Sequence, residues 1–184
     1  MQAWKTCKRY NLPGHTHELT FSCFKHRPFL SRERTCAFLA QAIQRAKKMQ
    51  RFHLWAYVFM PEHVHLLIWP EEPQYSISKF LQATKQSVSR KALNYLRKEN
   101  PDGLRALATG RKDRPYQFWL DGGGYDRNIT GRATLIRVVD YIHNNPVRRG
   151  LVKTPQEWFW SSATQWMGMG EGPIRLDLSS FPLR

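Results

Sequence analysis

The chain reads as an α+β fold, a ferredoxin-like antiparallel sheet with helices on one face, plus an extra helix. Three observations predict it. Short apolar runs with strand-like alternation occur at 17–24 and 53–60 and again from His63 onward. Two long segments between and after them repeat their apolar residues at helical spacing instead. The resulting order, strand, helix, strand, strand, helix, strand, helix, suits a single antiparallel sheet with two crossing helices and one addition.

The first strand, HELTFSCF at 17–24, puts Leu19, Phe21 and Cys23 on one face, and Pro28 closes it. Ser31 is placed to cap a helix running to about residue 50. Phe38, Leu39, Ala42, Ile43, Ala46 and Met49 form its apolar stripe, and Arg45, Lys47, Lys48 and Arg51 its other face. A second strand spans 53–60, and Pro61-Glu62 turns it into a hairpin with the strand that begins at His63. Ser76 or Ser78 starts a second helix, to about residue 98, striped by Ile77, Phe80, Leu81, Thr84, Val88, Ala92 and Leu96. A charged loop covers 99–115. PYQFWL at 115–120 reads as the next strand, and Asp121 to Gly124 as a flexible turn. Thr130 caps a third helix that Pro146 ends near Asn145. Trp158, Phe159, Trp160 and Trp166 should fold back on the core. We expect one domain over 1–184, with a core from about 15 to 152 and an aromatic C-terminal extension from about 153 to 184.

Composition narrows the function. Ten Phe, seven Trp and seven Tyr in a chain that is 41% hydrophobic exclude a disordered protein. A net charge of +15, with 29 Lys and Arg spread along most of the chain, favours a nucleic-acid partner over a merely basic surface. Cys7, Cys23 and Cys36 make no Cys-x-x-Cys pair and leave an odd thiol, which suits a reducing compartment. No apolar run is long enough to span a membrane, and the first twenty residues lack an apolar signal core. The expected location is the cytoplasm, with the nucleic acid of a prokaryote.

Two residue sets carry chemistry. His63 and His65, alternate residues on a strand flanked by Leu66, Leu67, Ile68 and Trp69, point to one face, with Cα atoms about 6.5–7 Å apart. One cation can bridge such a pair, although a packed structural pair has the same spacing. Tyr141 and Asn145 lie four apart on the third helix and so share a face. A tyrosine phenol can act as a covalent nucleophile; it is a poor one at neutral pH with its pKa near 10, and a divalent cation on the phosphate under attack would help. Asn145 could give that cation an amide oxygen, and Mg²⁺ or Mn²⁺ suits an open nitrogen and oxygen site. The alternatives are a core role for Tyr141, or Tyr125 beside the glycine run as the nucleophile. His143, on another part of the helix, reads as a surface residue or phosphate contact.

These residues resemble a known family. Met60-Pro61-Glu62-His63-Val64-His65-Leu66 is followed by Tyr141-Ile142, Asn145-Pro146-Val147-Arg148 and Gly150-Leu151-Val152, and then by Trp158-Phe159-Trp160-Ser161-Ser162. Phe118-Trp119 and Gly124-Tyr125-Asp126 fit the same pattern. Together they resemble the HUH single-tyrosine transposases, most closely the branch associated with repetitive extragenic palindromes (REP), over residues 15–165. Glu62 departs from that pattern, where Asn is usual, and the three glycines at 122–124 are a longer run than expected. The resemblance implies that His63, His65 and Asn145 hold the cation and that Tyr141 attacks a phosphodiester of single-stranded DNA. The products would be a 5′-phosphotyrosine and a 3′-hydroxyl. It also implies a DNA hairpin as ligand, in a monomer or a homodimer, with Tyr141 acting in cis or in trans. Arg148 and Arg149 beside the site, Lys85 on the second helix, and Arg111, Lys112 and Arg114 in the charged loop would then contact DNA. The absence of a Walker-type phosphate loop agrees with rejoining that needs no nucleotide. A metal-dependent nuclease using water and a non-catalytic hairpin binder are the competing readings.

Overall fold

The computed structural model describes residues 9–122 and 124–182; Cys7 and Gly123 lie outside them. Four antiparallel strands, β1 (Thr16–Ser22), β2 (Phe52–Phe59), β3 (His63–Pro70) and β4 (Tyr125–Ile129), form one sheet in the order β2-β3-β1-β4. Helices α1 (Glu33–Gln50), α2 (Ile77–Glu99) and α3 (Arg132–Arg148) complete the expected order of elements.

The sheet is buried on both faces, because its alternating side chains feed two apolar clusters. Leu19, Phe21, Leu54, Tyr57, Phe59, Val64, Leu66 and Ile68 meet α1 and α2. Trp55, Ala56, Val58, Met60 and Leu67 meet Leu135, Val138, Val139 and Ile142 of α3. A register shift between Leu54 and Ala56 makes this possible on β2. The extra residue sends both Trp55 and Ala56 toward α3 and returns Tyr57 to the α1–α2 face, as a β-bulge does.

Several expectations need correction. Arg32, not Ser31, occupies the N-cap of α1, whereas Ser76 caps α2 through its hydroxyl. Lys47 is not on a solvent face: it is buried, and its Nζ donates to Asp177 at 2.7 Å and to the Arg175 carbonyl at 3.0 Å. Helix α3 is capped by Gly131 rather than Thr130 and runs through Pro146 to Arg148. Proline's fixed φ is itself helical, and the last turn is closed beyond the ring by Arg149 N–H to the Asn145 carbonyl and Leu151 N–H to that of Pro146. His143 is buried, not a surface contact: its Nε2 lies 2.8 Å from Ser162 Oγ, and burial pulls its pKa down to about 4.

The strand expected at 115–120 is only the first part of a broken edge. Trp119 bridges to Cys23, the chain leaves the ladder over the glycine run, and β4 rejoins β1 at Tyr125 opposite Thr20. Gly124, with φ of +69°, is where it rejoins; a Cβ there would stand 2.0 Å from the Thr20 carbonyl oxygen. The presumed flexible turn thus includes a close backbone contact that only glycine allows. On β4, Asp126 accepts from the buried His17 Nδ1 at 2.7 Å, and His17 Nε2 meets Tyr75 at 2.8 Å, which ties the edge to the chain before α2. Cys23 and Cys36 are buried free thiols, each pushed up to about 12 by burial.

Candidate active site

The β3 pleat puts His63 and His65 on the α3 face, and α3 lays Tyr141 and Asn145 against them. Position His63 is fixed by the hairpin, Met60 N–H bonding to the His63 carbonyl. Both imidazoles are held from behind. His63 Nδ1 donates to the Glu62 carboxylate at 3.0 Å, and His65 Nδ1 shares a hydrogen bond with Thr20 Oγ1 at 2.9 Å. Their Nε2 atoms converge to 3.0 Å. With both protons on Nδ1, two lone pairs face each other, an arrangement that a shared cation would relieve. Outer partners that orient histidine in this way are the usual support of a metal site.

The electrostatics suit neutral ligands. Burial lowers the His65 pKa to about 3, helped by His63. Burial also lowers that of His63, against the opposing pull of Glu62. Burial alone would raise the Glu62 carboxyl, but the Arg149 hydrogen bond at 2.7 Å and the adjoining His63 outweigh it and hold the group below its usual range. Glu62, the departure from the family pattern, therefore orients His63 and is itself steadied by Arg149.

Asn145 is buried with its amide 3.1 Å from His65 Nε2. Among the described residues no three His, Cys, Asp or Glu side chains gather as a metal site. The atom that faces His65 is Asn145 Nδ2; with the amide turned, its oxygen would complete a donor set suited to a hard divalent cation with open positions. Tyr141 is 39% exposed, with its ring edge-on to His65 at 5.4 Å and the Arg148 guanidinium 5.3 Å from its centre.

The remaining candidates lie elsewhere. Lys85 and Arg114 line a groove of about 460 Å³ between α2 and residues 114–122, on the α2 side of the sheet. Arg114 pairs with Asp121 at 2.6 Å, Arg111 pairs with Asp113, and Lys112 is exposed beside them. The structure thus gathers Arg148 and Arg149 at the site but not Lys85, Arg111, Lys112 or Arg114. Sequence reading missed Thr20 and Glu18. The signal was available: alternation that turns Leu19 and Phe21 one way turns Glu18 and Thr20 the other.

Comparison with known proteins gives the family. The chain belongs to the IS200-like transposase family, whose model matches residues 14–145, a family of DNA-processing enzymes. Its fold is shared with a REP-associated tyrosine transposase solved bound to a REP hairpin, at a TM-score of 0.68 and 22% identity, over 99% of this chain and 96% of that one. A candidate transposase of Deinococcus radiodurans R1 aligns at a TM-score of 0.45 and 20% identity, over 77% of this chain and 97% of that one, too low to bear on the fold. No protein with a curated description matches significantly. Among the described residues no helix is long and apolar enough to cross a membrane.

Proposed function

We propose that this protein is a single-tyrosine DNA strand-transferase of the REP-associated branch, cutting and rejoining single-stranded DNA at hairpins. The observation that carries this reading is the edge contact of Tyr141 with His65, the imidazole that Asn145 also meets. Nucleophile and proposed cation ligands then belong to one constellation. His63, His65 and Asn145 would hold Mg²⁺ or Mn²⁺. When bound, the ion supplies Lewis-acid polarisation of the phosphate under attack.

Tyr141 Oη forms the new bond to phosphorus, the bond from phosphorus to the 3′ oxygen breaks, and the phenolic proton leaves through the exposed side of the ring. The products are a 5′-phosphotyrosine and, after protonation, a 3′-hydroxyl. One phosphodiester replaces another, so the reverse attack by a 3′-hydroxyl rejoins DNA without a nucleotide. Arg148 lies against the Tyr141 ring and is placed to hold the backbone there; Arg149 has the second task of steadying Glu62. A hairpin ligand is supported by the REP hairpin bound to the protein of like fold and by the charge of +15.

Covalent capture tests the reading. Wild type and Tyr141→Phe are incubated with labelled single-stranded hairpins, with Mn²⁺ or with chelator, and run on a denaturing gel. We expect a shifted band that needs metal and is absent in the variant. Cleavage with a free 5′ end and no adduct would instead mean a water-using nuclease.

A further inference from the structure

The cleft beside Tyr141 has a second end that the strand-transfer reaction, as described, does not use. It measures about 720 Å³, within the roughly 300–1,000 Å³ of sites that enclose a small ligand. Beyond His65 and Tyr141 it is lined by Glu18, Tyr125, Arg127 and Arg137. The sheet register fixes this layout. Thr20 pairs with His65 on one side and Tyr125 on the other, and Glu18 pairs with Leu67 and Arg127. Glu18 and Thr20 are alternate residues, so Glu18 sits one pleat repeat, about 6.5–7 Å, along the strand from the chemistry.

Glu18 is the unusual group. The residue is 6% exposed, and its Oε2 accepts no hydrogen bond. Arg127 Nε stands 3.7 Å away, within ion-pair reach but too far for a hydrogen bond. Burial raises the Glu18 pKa against the opposing pull of Arg127. A buried carboxylate oxygen left without a donor costs free energy, and such groups call for a functional account. A phosphate would be repelled there. A base edge carrying N–H donors would be attracted, since carboxylates accept from exocyclic amines. Tyr125, 48% exposed on the same wall, offers an aromatic face on which a base can stack. Arg127 and Arg137, both exposed, flank it with positive charge suited to the backbone.

We propose that Glu18, Tyr125, Arg127 and Arg137 form a subsite for a nucleotide flanking the scissile phosphate, in which Glu18 selects a base with amino donors over thymine. This inference rests on the strand-transfer reading for its substrate. It goes further in naming the residue that sets the base preference at that position. Tyr125 becomes a stacking platform rather than a nucleophile.

The test uses the full chain and a pool of hairpin oligonucleotides with randomised single-stranded flanks. DNA is recovered in two ways, by covalent capture on wild type with Mn²⁺ and by non-covalent retention on Tyr141→Phe, and then sequenced. One flanking position should be depleted of thymine about five-fold or more, and Glu18→Gln, whose amide can donate to a thymine carbonyl, should remove that depletion. Because Glu18 is buried, an exposed residue provides the second arm. Tyr125→Ala should weaken retention of base-bearing DNA by about 5- to 100-fold and change nothing when that position is abasic. Equal use of all four bases at both flanking positions would overturn the inference, as would depletion that persists in Glu18→Gln or a Tyr125→Ala loss unchanged by the abasic site. Base-dependent retention with no adduct would sink the chemistry and leave the subsite standing.

Discussion

Thr20 makes one hydrogen bond at the candidate site, to His65 Nδ1, and in the proposed reading that bond leaves Nε2 free for the cation. Thr20→Val keeps the shape and removes the acceptor 2.9 Å from Nδ1. The ring is buried, so an N–H left without a partner costs about 1–3 kcal/mol. His65 can avoid that cost by moving its proton to Nε2, the atom that faces His63 at 3.0 Å. Any cation must then displace this proton. Loss of such an outer partner typically weakens metal binding about 10- to 100-fold, and we expect Thr20→Val to fall in that range. Calorimetric titration with Mn²⁺ measures it directly, with Thr20→Ser, which keeps the hydroxyl, as the control. Adduct formation should recover as Mn²⁺ is raised, and stability should drop by only about 1 kcal/mol. Binding by Thr20→Val within two-fold of wild type would refute the assignment of the free nitrogens.

Two further outcomes follow from positions outside the proposed cation ligands. Gly124→Ala adds a Cβ against the Thr20 carbonyl at a positive φ; a loss of about 2–4 kcal/mol in urea unfolding is expected, and an unchanged midpoint would mean that β4 is not held as described. His143 has its pKa lowered to about 4 by burial, against roughly 6.5 in an unfolded chain. The unfolded state therefore takes up this proton first. The contribution is complete above about pH 6.5 and is lost as pH falls from there to about 4, about 3 kcal/mol in all. His143→Gln should flatten the fall in stability between pH 7 and pH 5, and equal slopes would show that this histidine is not the group responsible.

Element types and their order were legible because apolar periodicity separates helix from strand wherever a segment is long. The edge strand was misread because the sequence shows its two halves differently. PYQFWL is apolar and looks like a strand, whereas YDRNI is polar and partly exposed, as an edge position permits. Pro146 misled in another way: its ring costs a hydrogen bond, but its φ suits a helix, so a buried last turn can carry it. At the proposed site, His63 with His65 and Tyr141 with Asn145 could each be paired by spacing within a single element, and the family resemblance joined the two pairs. Thr20 and Glu18 could not be joined to them, since that requires the β1–β3 register. Glu62 was visible as a departure, yet its partner Arg149 is 87 positions away in sequence.

The bulge on β2 has a consequence for the chain's last thirty residues. β2 is an outer strand of the sheet, and an open outer strand invites pairing with another chain. Here the vacant positions are taken by the protein's own C-terminal residues. Phe59 N–H bonds to the Trp160 carbonyl, Tyr57 N–H to Ser162 Oγ, and Leu54 N–H to the Asp177 carboxylate. The carbonyl of the inserted residue, Trp55, accepts from the Trp166 indole, and its own indole donates to Ser180. Cutting the chain near residue 152 would strip this seal and uncover Trp55, Tyr57 and Phe59 together. The shortened protein should then self-associate through β2, and what looks in the sequence like an appendage would prove to be the guard on the sheet's most adhesive side.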